Sequence, residues 1–311
     1  MKSNGFENSV DVKGYVFNHT LSKRTSKKGV EYIGGVLNVA TDEQALNIVP
    51  VNFTYVTETY SKSGKPNATY TLLEQIINEN NTWELNGEKA MKVRVSGDIE
   101  CNDFVTRDGE MASPKRVRGS FVHAETNPIA QIGCAKFKTD MLIEGYQEVE
   151  DEKNGNYGQV RGYVFNFRND FLPVVLTIRS NGGMSYFEKA DISVAEPMLT
   201  QVWGNIVCTT IVSTKETESA FGAPDVETTT RTLRAWDIEG ASTEPYNFGD
   251  ESVMTVEEVT KGKADREQHL AEVRQNHEEY QASKNANNNV FSATSTSAVS
   301  ASPTAASNFK F

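Results

Sequence analysis

The chain has 311 residues, of which 38% are hydrophobic and 23% are charged, and its formal net charge at pH 7 is −11. This composition is typical of a globular protein and excludes collagen-like and wholly disordered chains. No run of about 18 apolar residues occurs, and no apolar segment follows the first residues. We therefore expect neither a membrane-spanning helix nor a secretory signal.

The acidic surplus lies in the second half of the chain. Residues 1–140 contain 17 basic and 17 acidic side chains, whereas residues 141–311 contain 14 basic and 25 acidic ones. A nucleic-acid site needs local positive potential rather than a positive total. The acidic total therefore weakens a nucleic-acid interpretation without excluding it. The positions of the basic side chains decide whether a positively charged binding surface is present.

Strand and turn patterns alternate along the first half, and one segment has helical periodicity. Leu72, Leu73, Ile76 and Ile77 recur at helical spacing. Three strands, a helix, a long bent strand and a closing strand are the order of an OB-fold, a five-stranded Greek-key barrel. In chain order, the predicted elements are strands at Val12–Leu21, Tyr32–Thr41 and Asn47–Tyr60, a helix at Tyr70–Asn81, and strands at Ala90–Asp98, Ile99–Arg107 and Arg116–Glu125.

A seven-residue motif occurs twice. Residues 12–18 read Val-Lys-Gly-Tyr-Val-Phe-Asn, and residues 160–166 differ only by Arg161 in place of Lys13. Such self-similarity indicates two copies of one domain. Alternatively, two unrelated strands share residues of high β-propensity. On the first interpretation the helix of the second copy is one turn or missing, and its strands are Gln159–Asn169, Leu172–Ser180, Ser185–Val194, Gly204–Thr214 and Thr228–Glu239.

The β-pattern fades after Gly240. Residues 253–281 favour a charged helix that is exposed or lightly docked, and the chain from Ala282 is rich in Asn, Ser, Ala and Thr, which predicts disorder. The sequence thus predicts an all-β protein with two tandem OB-fold-like five-stranded barrels, a polar C-terminal helix and a disordered tail. The expected segments are a first OB-fold domain at 8–126, a connecting segment at 127–158, a second OB-fold domain at 159–241, a polar helical segment at 242–281 and the tail at 282–311.

No arrangement of residues indicates catalysis or a metal site. The four histidines are scattered, and neither a phosphate-binding glycine loop nor a nucleophile motif occurs. The three cysteines form no CxxC pair and no disulfide framework. We therefore expect a non-enzymatic protein without metal or other cofactor, with reduced thiols, in the cytoplasm.

Basic side chains concentrate in segments that border the binding face of an OB-fold. In that fold the loop after the first strand and the loop between the fourth and fifth strands flank the oligonucleotide. The alternative is that lysine-rich turns are simply solvated. The candidate phosphate contacts are Lys23, Arg24, Lys27, Lys28, Lys62, Lys65, Arg107, Lys115, Arg116 and Arg118.

Four aromatic residues are candidates for stacking on bases, which contributes about 1–3 kcal/mol per base. Tyr15 and Phe17 share one face of the first strand, while Tyr32 and Tyr55 lie on the second and third strands. Such residues also fill the interior of a small barrel. In a regular strand Val16 and Phe17 point to opposite faces, so one of the two sets must face outward.

These features resemble the single-stranded DNA-binding proteins encoded by bacteriophages. The resemblance covers roughly residues 10–240 and lies in the duplicated motif, the strand order, the segment Asn38–Asp42 and the polar tail. It implies a protein that coats and protects single-stranded DNA during replication, recombination or repair, with little sequence preference and without catalysis or metal. A phage-encoded protein of this kind would act in the cytoplasm of the host cell.

The end of the chain bears on protein partners. Bacterial members of that class end in an acidic tail with a terminal Pro-Phe that recruits replication enzymes. Phe309 and Phe311 resemble that anchor, although Lys310 intervenes and the acidic run is missing. The resemblance thus implies a replication or recombination protein as a partner of the tail. From a different class, the alternative function is a structural or protein-interaction module of a viral assembly.

Overall fold

A computed structural model describes residues 5–60, 62–152, 155–217, 225–249 and 253–293. No helix in these segments combines the length and the apolar content needed to cross a membrane. The helices are α1 (Ala68–Glu79), α2 (Trp83–Asn86), α3 (Ile129–Ile132), α4 (Asn181–Lys189) and α5 (Val256–Ala293). The strands are β1 (Asn8–His19), β2 (Ser22–Thr25), β3 (Glu31–Ala40), β4 (Ile48–Thr57), β5 (Lys92–Cys101), β6 (Phe104–Val105), β7 (Met111–Ala112), β8 (Lys115–Ala124), β9 (Cys134–Val149), β10 (Tyr157–Phe165), β11 (Phe171–Ile178), β12 (Met198–Thr217) and β13 (Asp225–Ala241).

The chain divides into two compact units. One comprises the residues up to Asn102 together with Ser113–Arg266. The other comprises Asp103–Ala112 and the chain from Glu267 onward. It contains the β6–β7 hairpin and the later part of α5, with His269 Nε2 3.2 Å from Asp103 Oδ2.

Five strands of the first unit close into a barrel, which we call the first barrel. Strand β1 pairs with β3 and β5, β5 pairs with β8, β8 runs parallel to β4, and β4 pairs with β3. Helix α1 lies between the third and fourth of these strands in sequence. This is the predicted OB-fold order. Its interior contains the fully buried side chains of Val12, Ile33, Leu37, Val51 and Phe53.

Helix α1 begins two residues before the predicted start. The side chain of Asn67 accepts a hydrogen bond from the Thr69 amide at 3.1 Å and donates one to the Thr57 carbonyl at 3.0 Å. Asn67 therefore caps the helix and ties it to the end of β4. At the other end Asn80 adopts a left-handed conformation, with φ of 46°.

Residues 127–158, expected to connect two domains, contain β9. This strand pairs with β1, β10 and β12. Its first half alternates between buried Ala135 and Phe137 and exposed Lys136 and Lys138. Beyond it, β10 pairs with β11, β12 pairs with β13, and β11 meets β13 in parallel at Thr177 and Asp237.

The segment predicted as a strand at Ser185–Val194 begins in a helix and contains no strand. Helix α4 is capped by Ser180, whose hydroxyl accepts a hydrogen bond from the Gly183 amide at 3.3 Å. Phe187 is its buried contact with the core. A serine before a helical turn, with one aromatic anchor, outweighs the β-propensity of the following residues.

The two copies of the seven-residue motif do not occupy equivalent strands. The first lies in β1, whereas the second begins in β10, the strand that follows β9. In both copies the glycine lies close to the backbone of the neighbouring strand. A Cβ on Gly14 would lie 1.9 Å from the Ala40 oxygen, and a Cβ on Gly162 would lie 2.0 Å from the Leu142 oxygen. Only glycine permits such close approach of two strands.

The C-terminal helix is longer than predicted. Helix α5 continues to Ala293, into the segment expected to be disordered from Ala282. Its first turns are docked, since Val259 is buried and Gly262 abuts the ring of Phe171. Residues 294–311 lie outside the described residues.

Candidate nucleic-acid interface

Two tyrosines meet on the outer surface of the first barrel. The rings of Tyr32 on β3 and Tyr55 on β4 have centroids 4.4 Å apart and an interplanar angle of 34°. Tyr55 is 51% exposed. We call these two residues the tyrosine pair.

The strand register brings this pair together. Tyr32 lies opposite Thr57, and Tyr55 is the diagonal neighbour two residues earlier, within reach of an aromatic side chain. The register shifts between Ile33 and Gly35, and Gly34 within this shift carries no side chain. A Cβ on Gly34 would lie 3.0 Å from the Thr54 carbonyl oxygen, so glycine permits a close approach of β3 to the β4 backbone beside the tyrosine pair.

Strand β2 adds a cation on the same face. Arg24 lies directly opposite Tyr32, so both side chains point outward. The Arg24 Nε donates a hydrogen bond to Ser22 Oγ at 3.1 Å, and its side chain remains exposed. The predicted role of Arg24 in phosphate contact is compatible with this placement.

Lys23 points to the opposite face and is held by α1. It lies opposite the buried Ile33, its ammonium group bonds to Glu74, and Glu31 lies 3.9 Å away. The hydrogen bond to Glu74 raises the pKa of Lys23. The predicted phosphate contact by Lys23 is therefore replaced here by an ion pair within the protein.

Two loops beside the tyrosine pair carry further cations. Lys27 and Lys28 are exposed in the turn that joins β2 to β3, and Lys62 and Lys65 are exposed in the loop that follows β4. The second loop is held by a hydrogen bond from the Tyr60 amide to the Lys65 carbonyl at 2.9 Å. In the described parts of the chain, no carboxylate lies within 4.0 Å of these four ammonium groups.

Arg116 and Arg118 are held in cross-strand ion pairs. Arg116 Nη2 lies 2.8 Å from Glu100 Oε2, and Arg118 Nε lies 2.9 Å from Asp98 Oδ1. Burial raises the pKa of Asp98, and the hydrogen bond from Arg118 opposes that rise. Both guanidinium groups are thus largely neutralised by β5, which argues against their expected role as free phosphate contacts.

The remaining basic candidates are Arg107 and Lys115. Arg107 is exposed in the β6–β7 hairpin, which belongs to the second compact unit. Lys115 begins β8 and is half-buried, and this burial lowers the pKa of its ammonium group. No carboxylate of the described residues forms an ion pair with Lys115.

We expect Lys115→Met to be at least as stable as the parent at about pH 7. The folded state disfavours the charged form of Lys115, so the parent gains stability as pH rises through the lowered pKa towards the unfolded value of about 10.4. The stability difference between variant and parent should therefore narrow towards about pH 10. Urea unfolding at both pH values checks this, with exposed Lys62→Met as the control; a gap that widens with pH would contradict it.

Tyr15 is a core residue, which corrects its expected role in base stacking. Its side chain is 8% exposed and its ring lies 4.8 Å from that of Trp83 on α2. Burial, followed by Glu88 and Glu43, raises the pKa of its hydroxyl. Phe17 is half-buried and packs against the same cluster. Because α2 and α3 cover this outer face of β1, both faces of the strand are enclosed there.

Comparison with known proteins places the chain in a family. The YorF family model matches residues 7–276. The chain belongs to the YorF family. No curated protein matches its sequence.

Two solved structures similar to the YorF-family chain are of the single-stranded DNA binding protein from Thermus aquaticus. A deletion variant has a TM-score of 0.47 at 14% identity, covering 80% of this chain and 99% of that one. The wild-type protein has a TM-score of 0.45 at 14% identity, covering 78% and 95%.

Sequence reasoning missed the acidic partners in this YorF-family protein. Asp98 and Glu100 alternate along β5 as Arg116 and Arg118 alternate along β8, and the antiparallel register sets each arginine opposite a carboxylate. This alternation with a period of two is visible in the sequence and could have indicated that the arginines form ion pairs with the carboxylates. Within the described residues, no group of three histidine, cysteine or acidic side chains is placed to hold a metal ion.

Proposed function

We propose that this protein binds single-stranded DNA with little sequence preference through the tyrosine pair. The adjacent rings of exposed Tyr55 and half-buried Tyr32 carry the proposal. Stacking on an aromatic ring tolerates any base, because every base has a π-face. In a duplex those faces lie inside the base stack, so an aromatic platform favours an unpaired strand.

The flanking cations suit a phosphate backbone. Arg24 shares the face of the tyrosine pair, and the two adjoining loops carry Lys27, Lys28, Lys62 and Lys65 without carboxylate partners among the described residues. Phosphate contacts position a strand without reading its sequence. Together, stacking and charge would bind a single strand without catalysis or a cofactor. The protein would act in the cytoplasm, which is that of the host cell if a bacteriophage encodes it.

We further propose that β9–β13 are a second copy of the barrel. Strand β9 pairs with β10 and β12 as β1 pairs with β3 and β5, and α4 lies between β11 and β12 as α1 lies between β4 and β5. The tandem protein would coat and protect single strands during replication, recombination or repair.

A salt titration tests phosphate contact by the β2–β3 turn. Replacing Lys27 and Lys28 with alanine should reduce the slope of log K against log salt concentration by about 0.7 for each phosphate that the turn no longer neutralises. Lys23→Ala is the matched control, because its ammonium group is already held by Glu74. Equal slopes for parent and double variant would remove this turn from the interface.

Chromatography on single-stranded DNA cellulose tests the function itself. We expect retention at low salt and elution as salt rises. Flow-through at low salt would instead favour the alternative, a structural or protein-interaction module of a viral assembly. Recruitment of a replication or recombination protein by Phe309 and Phe311 stays a prediction, because both lie outside the described residues.

A further inference from the structure

Phe167 is displayed at the tip of a well-defined turn between β10 and β11. It is 74% exposed. Asn166 Oδ1 accepts hydrogen bonds from the amides of Arg168 at 2.9 Å and Asp170 at 3.0 Å. Asn169 adopts a left-handed conformation with φ of 63°. The turn is thus held by its own hydrogen bonds, and the aromatic ring needs no other element to position it.

Two guanidinium groups lie against this ring. The Arg168 Cζ is 5.1 Å from the ring centroid of Phe167 and the Arg118 Cζ is 5.9 Å from it. Arg118 is shared with Asp98, whereas Arg168 has no carboxylate within ion-pair distance among the described residues. A single exposed aromatic residue is ordinary, but an exposed ring beside an uncompensated cation matches the stacking and charge requirements of single-strand binding.

The strand register connects this turn to the tyrosine pair. Arg118 on β8 lies opposite Asn52 on β4, three residues before Tyr55. Val51 and Phe53 are buried, so Asn52 and Arg118 face outward. The backbone step from Tyr55 to Arg118 is therefore about 10 Å along β4 and about 5 Å across to β8.

We propose that Phe167 and Arg168 form a second stacking position for the same single strand that binds the tyrosine pair. The strand would cross the outer face of β4 and β8, pass Arg118, and place a further base on the Phe167 ring with a phosphate near Arg168. This inference rests on the proposed function and extends the site beyond the first barrel. A path of this kind suits the roughly 4–16 nucleotides that one OB-fold binds.

A length series of oligo-dT tests the proposal by fluorescence anisotropy with the full chain. For Phe167→Ala we expect parent affinity with oligonucleotides too short to reach beyond the tyrosine pair. Longer ones should bind about 5- to 150-fold more weakly, the equivalent of one base left unstacked. Phe167→Trp should keep the parent affinity at every length, and Arg168→Ala should flatten the salt slope only for the longer strands.

Leu85→Ala is the matched control, because Leu85 is 65% exposed and lies on α2. It should bind every length as the parent does. If the parent binds oligo-dT but Phe167→Ala matches it at all lengths, this inference is wrong while the proposed function stands. Failure of the parent to bind any length would overturn the proposed function itself and this inference with it.

Discussion

Truncating Tyr15 to alanine is expected to lower the free energy of unfolding by about 3–5 kcal/mol, as for other large aromatic side chains removed from a core. The Tyr15 ring is nearly inaccessible and packs on Trp83, Ala40 and Ile129. Its removal leaves a cavity bounded by two short helices and β1, which have little freedom to close it. Urea unfolding measures the loss.

Tyr15→Phe should retain most of that stability, because it keeps the ring and removes only the hydroxyl. At a temperature where Tyr15→Ala is still folded, its affinity for oligo-dT should equal that of the parent. A normal unfolding curve accompanied by a marked loss of affinity would show that Tyr15 contacts the nucleic acid, contrary to its position in the core.

Replacing Tyr55 with alanine should have the opposite effect to Tyr15→Ala: it should weaken DNA binding and leave stability nearly unchanged. We expect affinity for oligo-dT to fall by about 1–3 kcal/mol, because one stacking platform is removed. Stability should change little, since Tyr55 is 51% exposed and its main aromatic contact is Tyr32. Paired measurements of unfolding and of oligo-dT affinity separate the two effects.

Tyr55→Phe is the matched control and should bind as the parent does. The double variant Tyr32→Ala/Tyr55→Ala should lose less than the sum of the single losses, because each ring supports the other. Parent-like affinity in both single variants would rule out the tyrosine pair as the platform, whatever the charged loops contribute.

Local patterns predicted much of the first barrel. The alternation of apolar and polar residues located its strands, and the spacing of Leu72, Leu73, Ile76 and Ile77 located α1. The motif at Val12–Asn18 also marked a true strand. These predictions succeeded because period two and period 3.6 are properties of neighbouring residues and require no knowledge of what a segment packs against.

In the second half, the repeated motif predicted a strand but not the position of that strand in the sheet. Gly14 and Gly162 both permit a close backbone approach, so the same residue types recur in strands with different neighbours.

The sequence by itself determined which residue types were available for single-strand binding: aromatic rings on β-strands and lysines in polar turns. Only the tertiary structure decided which of them are accessible. Tyr15 was enclosed by α2 and α3, whereas Tyr55 was left exposed beside half-buried Tyr32. Lys23, Arg116 and Arg118 received carboxylate partners from α1 and β5. The reason is physical, because burial and ion pairing depend on residues distant in sequence that strand register and helix docking bring together.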